Sequence, residues 1–96
     1  MSQGEQNPGW CEWLGLLADA NSPAELDTLM GLFLTPEERS DIGQRYRIIQ
    51  ALLIGQLSQR EMAKTLGVSI SKITRGSNQL KSMPTELKVY LQQKMT

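Results

Sequence analysis

The stretch Ser58 to Lys81, SQREMAKTLGVSISKITRGSNQLK, leaves the chain few ways to fold. Ser58 is placed to cap a helix, and Glu61 three residues later completes a capping box, each side chain satisfying the other's backbone N–H. Met62 and Leu66 follow on one face at i, i+4 spacing. Gly67 supplies the left-handed residue that ends this helix, a conformation glycine adopts at little cost. Val68 plugs the angle beyond it, and Ser69 is positioned to cap a second helix. That helix turns Ile73 inward and leaves Ser71, Lys72, Thr74 and Arg75 outside. Small Ala63 lets the two helices approach closely, which is the pattern of a helix-turn-helix over about residues 58–78. An ordinary helical hairpin uses the same glycine turn. The combined spacing, with a polar and basic outward face, favours a reader of DNA.

Charge supports this. The formal net charge is zero, but residues 1–58 carry 3 Lys+Arg against 8 Asp+Glu, and residues 59–96 carry 7 against 2. The halves are therefore −5 and +5, and the basic half begins at the helix-turn-helix, where phosphate contacts are wanted. A solvated basic face without a ligand is the plainer reading of the same residues. At 96 residues the chain is one small domain. With 40% hydrophobic residues in so little volume, several apolar helix faces call for burial against a second subunit.

There is no histidine, and Cys11 is the single cysteine. An intramolecular disulfide, histidine-based or CxxC-type zinc sites and a histidine-based catalytic triad are excluded. No catalytic residue, metal ligand or bound cofactor is expected, and Cys11 reads as an inert residue of a reducing compartment. No apolar run approaches the roughly 20 residues needed to span a bilayer. The start MSQGEQNPG has neither a charged nor an apolar signal region, so a cytoplasmic protein is expected.

Taken in order, residues 1–9 read as a disordered arm and residues 10–96 as one all-helical domain. Trp10, Trp13, Leu14 and Leu17 give an amphipathic helix to about Ala20, with the tryptophans as core or interface anchors rather than a ligand cage. Ser22-Pro23-Ala24-Glu25 restarts a helix with a capping box and proline at its first position. Leu26, Leu29, Met30, Leu32, Phe33 and Leu34 make that helix apolar on most sides, which calls for burial by a partner. Thr35-Pro36-Glu37-Glu38 is another capping box. The chain thus breaks at Leu32–Thr35, beside helix-end carbonyls suited to a cation such as an ammonium. A long helix from Pro36 to Ile54 follows, with a stripe of Ile42, Tyr46, Ile49 and Leu53 widened by Ile48 and Leu52. Arg45 and Arg47 lie near its middle, and Asp41 is an available partner for Arg45. Gly76-Ser77-Asn78 either interrupts the recognition helix or lets something pack against it. A last helix over Thr85–Met95 has Leu87, Tyr90 and Leu91 on its inner side. That makes six helices and no strand.

The segment LTPEERSDIGQRYRIIQALLIGQLSQREMAKTLGVSISKITRGSNQLK resembles the trp repressor family, the tryptophan-dependent operator-binding proteins of bacteria. The marks are LTPEER, R-x-R-I-I, LSQRE, ITRGSN-x-LK and a proline before the last helix, and they span about Leu32 to Leu91. The connection between the first two helices is a few residues shorter than in the best-known members. The resemblance implies an intertwined, six-helix homodimer whose first helices build a shared core. It also implies an L-tryptophan pocket beside each recognition helix. Arg45 and Arg75 match the arginines whose flat guanidinium groups lie on either face of the indole, with Arg75 also holding the carboxylate. Gly76 matches the glycine that leaves room for the ring, and Ile49 an apolar wall. Leu32, Leu34 and Thr35 of the other subunit match the turn whose carbonyls receive the ammonium. Gln79 stands where well-known members have a serine that helps hold that ammonium.

On the DNA side the resemblance makes Arg60 the arginine that reaches a guanine edge and Gln59 a phosphate contact. Ile70, Ser71 and Thr74 match positions that contact bases directly or through water. Lys72 stands where the family commonly has threonine, and Ala63 where it often has lysine, so positive charge has moved from the first helix to the second and operator preference is expected to differ. The trp repressor is itself a standard example of this docking geometry and of water-mediated base contacts. The implied function is a repressor of tryptophan biosynthesis and uptake genes, activated by L-tryptophan as corepressor and acting on double-stranded operator DNA. Two alternatives stay open: a DNA-binding regulator that is constitutive or answers another effector, and a protein-interaction module docking a partner helix.

Overall fold

A computed structural model of the protein describes residues 7–96. Within them the chain forms six helices and no strand: α1 (Pro8–Ala18), α2 (Pro23–Phe33), α3 (Pro36–Ile54), α4 (Gln59–Leu66), α5 (Ile70–Lys81) and α6 (Thr85–Met95). They divide into two compact units, one reaching to Glu38 and the other covering Arg39–Thr96.

In the first unit, α1 starts two residues before Trp10. The Asn7 side chain accepts the Trp10 N–H at 3.1 Å, and Pro8 occupies the first helical turn with its φ already fixed near the helical value. Pro8 and Gly9, expected in a disordered arm, are therefore helical, while residues 1–6 of that arm lie outside the described residues. The Trp13 ring meets Phe33 of α2 edge-on, centroids 6.0 Å apart at 70°, and Trp10 tilts against Trp13 at 5.1 Å. These rings anchor α1 on α2. The Ser22 hydroxyl caps α2 by accepting from Glu25 N at 3.1 Å, but the Glu25 carboxylate reaches the N–H of Asn21, at 3.4 Å, one residue before the expected partner. Leu34 is extended (φ −115°, ψ 139°) and ends α2. The box at Thr35–Glu38 closes in both directions, at 3.1 and 2.8 Å.

The second unit is built on a three-residue core. Ile48 of α3, Met62 of α4 and Ile73 of α5 are 2%, 3% and 0% exposed, and Ala51, Leu52, Ala63, Leu66 and Val68 pack around them. Burying side chains of this size contributes roughly 1.5–3 kcal/mol each. The Ser58–Glu61 box is complete (3.1 and 2.9 Å), and Gly67 takes φ +67° at the turn. The Ser69 hydroxyl accepts from Lys72 N at 3.2 Å and starts α5. Gly76 does not interrupt α5, which is helical throughout. Of the two expectations for this glycine, the packing one holds, because a Cβ built on it would meet Ile48 Cγ2 at 3.0 Å.

Three expected inner faces are open in the single chain. Ile48 and Leu52 point α3 at the core, whereas Ile42 and Tyr46 of the expected stripe are exposed. In α2, Leu32 is 77% exposed and no residue is buried. In α6, Leu87 and Tyr90 are exposed, and Leu91 is half-buried. The physical reason is shared: one small core cannot cover the apolar surface that these helices carry. Within the second unit, α6 is tied to α3 through Gln50 Nε2 donating to Met95 O at 2.9 Å, and Lys88 Nζ donates to the α5-terminal carbonyl of Lys81 at 3.1 Å.

Candidate functional site

Where α3 and α5 face each other they leave a cleft of about 500 Å³, within the roughly 300–1,000 Å³ range of small-ligand sites. Its α3 wall is Asp41, Gln44, Arg45, Ile48 and Ile49, and its α5 wall is Lys72, Arg75, Gly76 and Gln79. Both sets follow i, i+3, i+4, i+7 spacing, so each is one face of a helix. Gly76 faces Ile48, Ile49 and Leu52, with no side chain of its own to fill the space.

The lining brings together Arg45, Ile49, Arg75, Gly76 and Gln79, all singled out from sequence. The lining adds Asp41, Gln44 and Ile48, which local pattern does not assign to a pocket, although Asp41 and Ile48 lie four and three residues from Arg45 and Gln44 lies three from Asp41 on the same helical face. Among the described residues Arg45 makes no ion pair with Asp41, and neither Arg45 nor Arg75 has a side-chain hydrogen bond. The cleft thus holds three cations and one carboxylate around an apolar strip. It suits a flat, partly apolar molecule bearing negative charge, because guanidinium groups both stack on rings and hold carboxylates. Leu32, Leu34 and Thr35 belong to the other compact unit, at the break between α2 and α3, where the last carbonyls of α2 lack intrahelical donors.

Lys72, which the resemblance assigns to the DNA side, is exposed on α5 and also borders the cleft. Its ammonium turns toward α3 and donates to Gln44 Oε1 at 3.0 Å, within the cleft lining. The remaining DNA-side residues are exposed at helix starts: Gln59 and Arg60 in the first turn of α4, and Ile70, Ser71 and Thr74 in the first turns of α5. Helix N-termini present unpaired N–H groups and favour anions, which suits a phosphate backbone. Serine donors at Ser58 hold the Glu61 carboxyl below its usual pKa, the backbone N–H contributing most and the hydroxyl next. The charged form that closes the capping box is thereby favoured.

The chain is similar to known proteins over nearly its whole length. The Trp repressor protein family matches residues 8–95. The Trp operon repressor homolog of Chlamydia trachomatis serovar D is 44% identical over 91 residues, covering 95% of this chain and 97% of that protein. The homolog of Chlamydia caviae is 43% identical, covering 95% of this chain and 90% of its own length. That of Vibrio cholerae serotype O1 is 41% identical, with 92% and 88% covered. Members of this family are transcriptional regulators and not enzymes. With its helix-turn-helix, its cleft against α3 and a match over nearly its whole length, the chain belongs to the Trp repressor protein family.

Proposed function

We propose that the protein is a homodimeric, cytoplasmic repressor that binds double-stranded operator DNA when L-tryptophan occupies the α3–α5 cleft, and that its targets are genes of tryptophan supply. The observation that carries this reading is that α5 is shared: Arg75, Gly76 and Gln79 line the cleft, while Ile70, Ser71 and Thr74 are exposed on the same helix. A ring lying between Arg45 and Arg75 over Gly76 acts as a wedge that sets the angle of the helix-turn-helix. Arg75 holds the carboxylate, and the α2-end carbonyls at Leu32–Thr35 of a second copy receive the ammonium. Two copies then present their recognition helices to successive major grooves. The exposed apolar residues of α1, α2, α3 and α6 support the dimer.

A mobility-shift assay with and without L-tryptophan, across a panel of amino acids, tests this. Retardation that requires L-tryptophan supports the reading, and retardation indifferent to every amino acid contradicts it. Lys72 and Gln79 in the lining favour one second reading, a regulator answering a different effector, which the same panel identifies. Steep loss of binding with salt separates DNA binding from docking of a protein helix, because it reports phosphate contacts.

A further inference from the structure

We infer that Lys72 is a specificity-determining residue of the cleft, a second cation for the carboxylate of its occupant, and not a reader of DNA. This rests on the L-tryptophan reading of the same site. Lys72 lies one helical turn before Arg75 and Gly76 on the α5 wall, so the two cations stand on the same side of the cleft. Its ammonium donates to Gln44 Oε1 on the opposite wall at 3.0 Å, so the side chain reaches across the mouth of the cleft. Gln44 is a neutral acceptor. A carboxylate entering beside it makes a charge-assisted bond of roughly twice the strength, so the ammonium exchanges its amide partner for the ligand. No rearrangement of α5 is needed, because a lysine side chain rotates about several bonds and already sits in the lining.

Asp41, on the α3 wall, is the one acidic group of the lining. With Arg45, Lys72 and Arg75 it leaves the cleft with an excess of two positive charges. That excess selects an anionic or zwitterionic ligand over its uncharged analogue. The ligand class is therefore a flat aromatic body with a free carboxylate, and blocking the carboxylate removes the partner of both Arg75 and Lys72.

Calorimetric titration of the full-length protein with L-tryptophan and with L-tryptophanamide, on the wild type, Lys72→Met and Lys72→Arg, tests this. Lys72→Met is expected to weaken L-tryptophan on the order of tenfold, as for one charge-assisted hydrogen bond. It is expected to leave the weaker amide binding unchanged, while Lys72→Arg restores most of the loss. Equal weakening of both ligands, or of neither, overturns the assignment. A wild type that does not bind L-tryptophan overturns the effector reading and this inference together. A wild type that binds normally while Lys72→Met has no effect overturns the inference alone.

Discussion

Gly76 stands so close to Ile48 that a Cβ on the glycine would lie 3.0 Å from the isoleucine Cγ2. Ile48 is held in the core between Met62 and Ile73, so it has little room to retreat. The pair fixes how closely α5 lies on α3 and leaves the cleft unfilled. In Gly76→Ala, overpacking costs about 1–3 kcal/mol, against a helix-propensity gain of about 1 kcal/mol. The net expectation is destabilisation of about 1 kcal/mol, seen as a lower thermal midpoint, together with weaker L-tryptophan binding. An unchanged midpoint shows that Ile48 can give way.

Arg75→Leu removes a cationic face and a carboxylate partner from the cleft while keeping a good helix former in α5. L-tryptophan binding is expected to fall by two orders of magnitude or more, since a charge-assisted pair and a stacking contact are lost together. Calorimetric titration checks it, and an unchanged dissociation constant removes Arg75 from the site.

The Ser58–Glu61 box fixes the start of α4, where Gln59 and Arg60 stand. Ser58→Ala is expected to cost about 1 kcal/mol of stability, as a typical N-cap loss does. Glu61 adds a pH dependence. Its folded pKa lies below its ordinary value of 4.5, so its stabilisation is present above that value and is lost as pH falls through the lowered one. Glu61→Gln should therefore be less stable than wild type at neutral pH and match it in strong acid. Urea midpoints at both pH values measure the difference, and a constant gap between the two proteins contradicts the account.

The apolar residues left open in one chain are the basis of the proposed dimer. Sedimentation equilibrium is expected to give twice the 10.8 kDa chain mass, and Leu87→Asp, on an exposed face of α6, is expected to lower it. A wild-type mass of one chain contradicts the dimer.

How much of this was legible in the sequence follows the range of the interaction. The boxes at Thr35–Glu38 and Ser58–Glu61, and the turn at Gly67, join residues at most a few positions apart, and local spacing specified them. The start of α1 at Pro8 is hard to read locally because Asn7 and Pro8 look like loop residues, although the pair is also a cap followed by a helix-starting proline. The Lys72–Gln44 bond spans 28 residues, and no local pattern reveals a lysine turned toward α3. For Ile42 and Tyr46, periodicity showed an apolar face but not whether the same chain or another covers it. In the cleft, Arg45, Arg75 and Gly76 are legible through the family resemblance, whereas the place of Asp41 and Gln44 in the lining depends on how α3 and α5 face each other.

If an occupant of the cleft and DNA on the exposed face of α5 act through that one helix, their binding energies must couple in both directions. The direct measurement is calorimetric titration of L-tryptophan into the protein alone and into its complex with a DNA site selected from a random pool. L-tryptophan is expected to bind the complex more tightly, by the same factor by which it tightens DNA binding. Equal affinity for L-tryptophan with and without DNA would contradict the coupling.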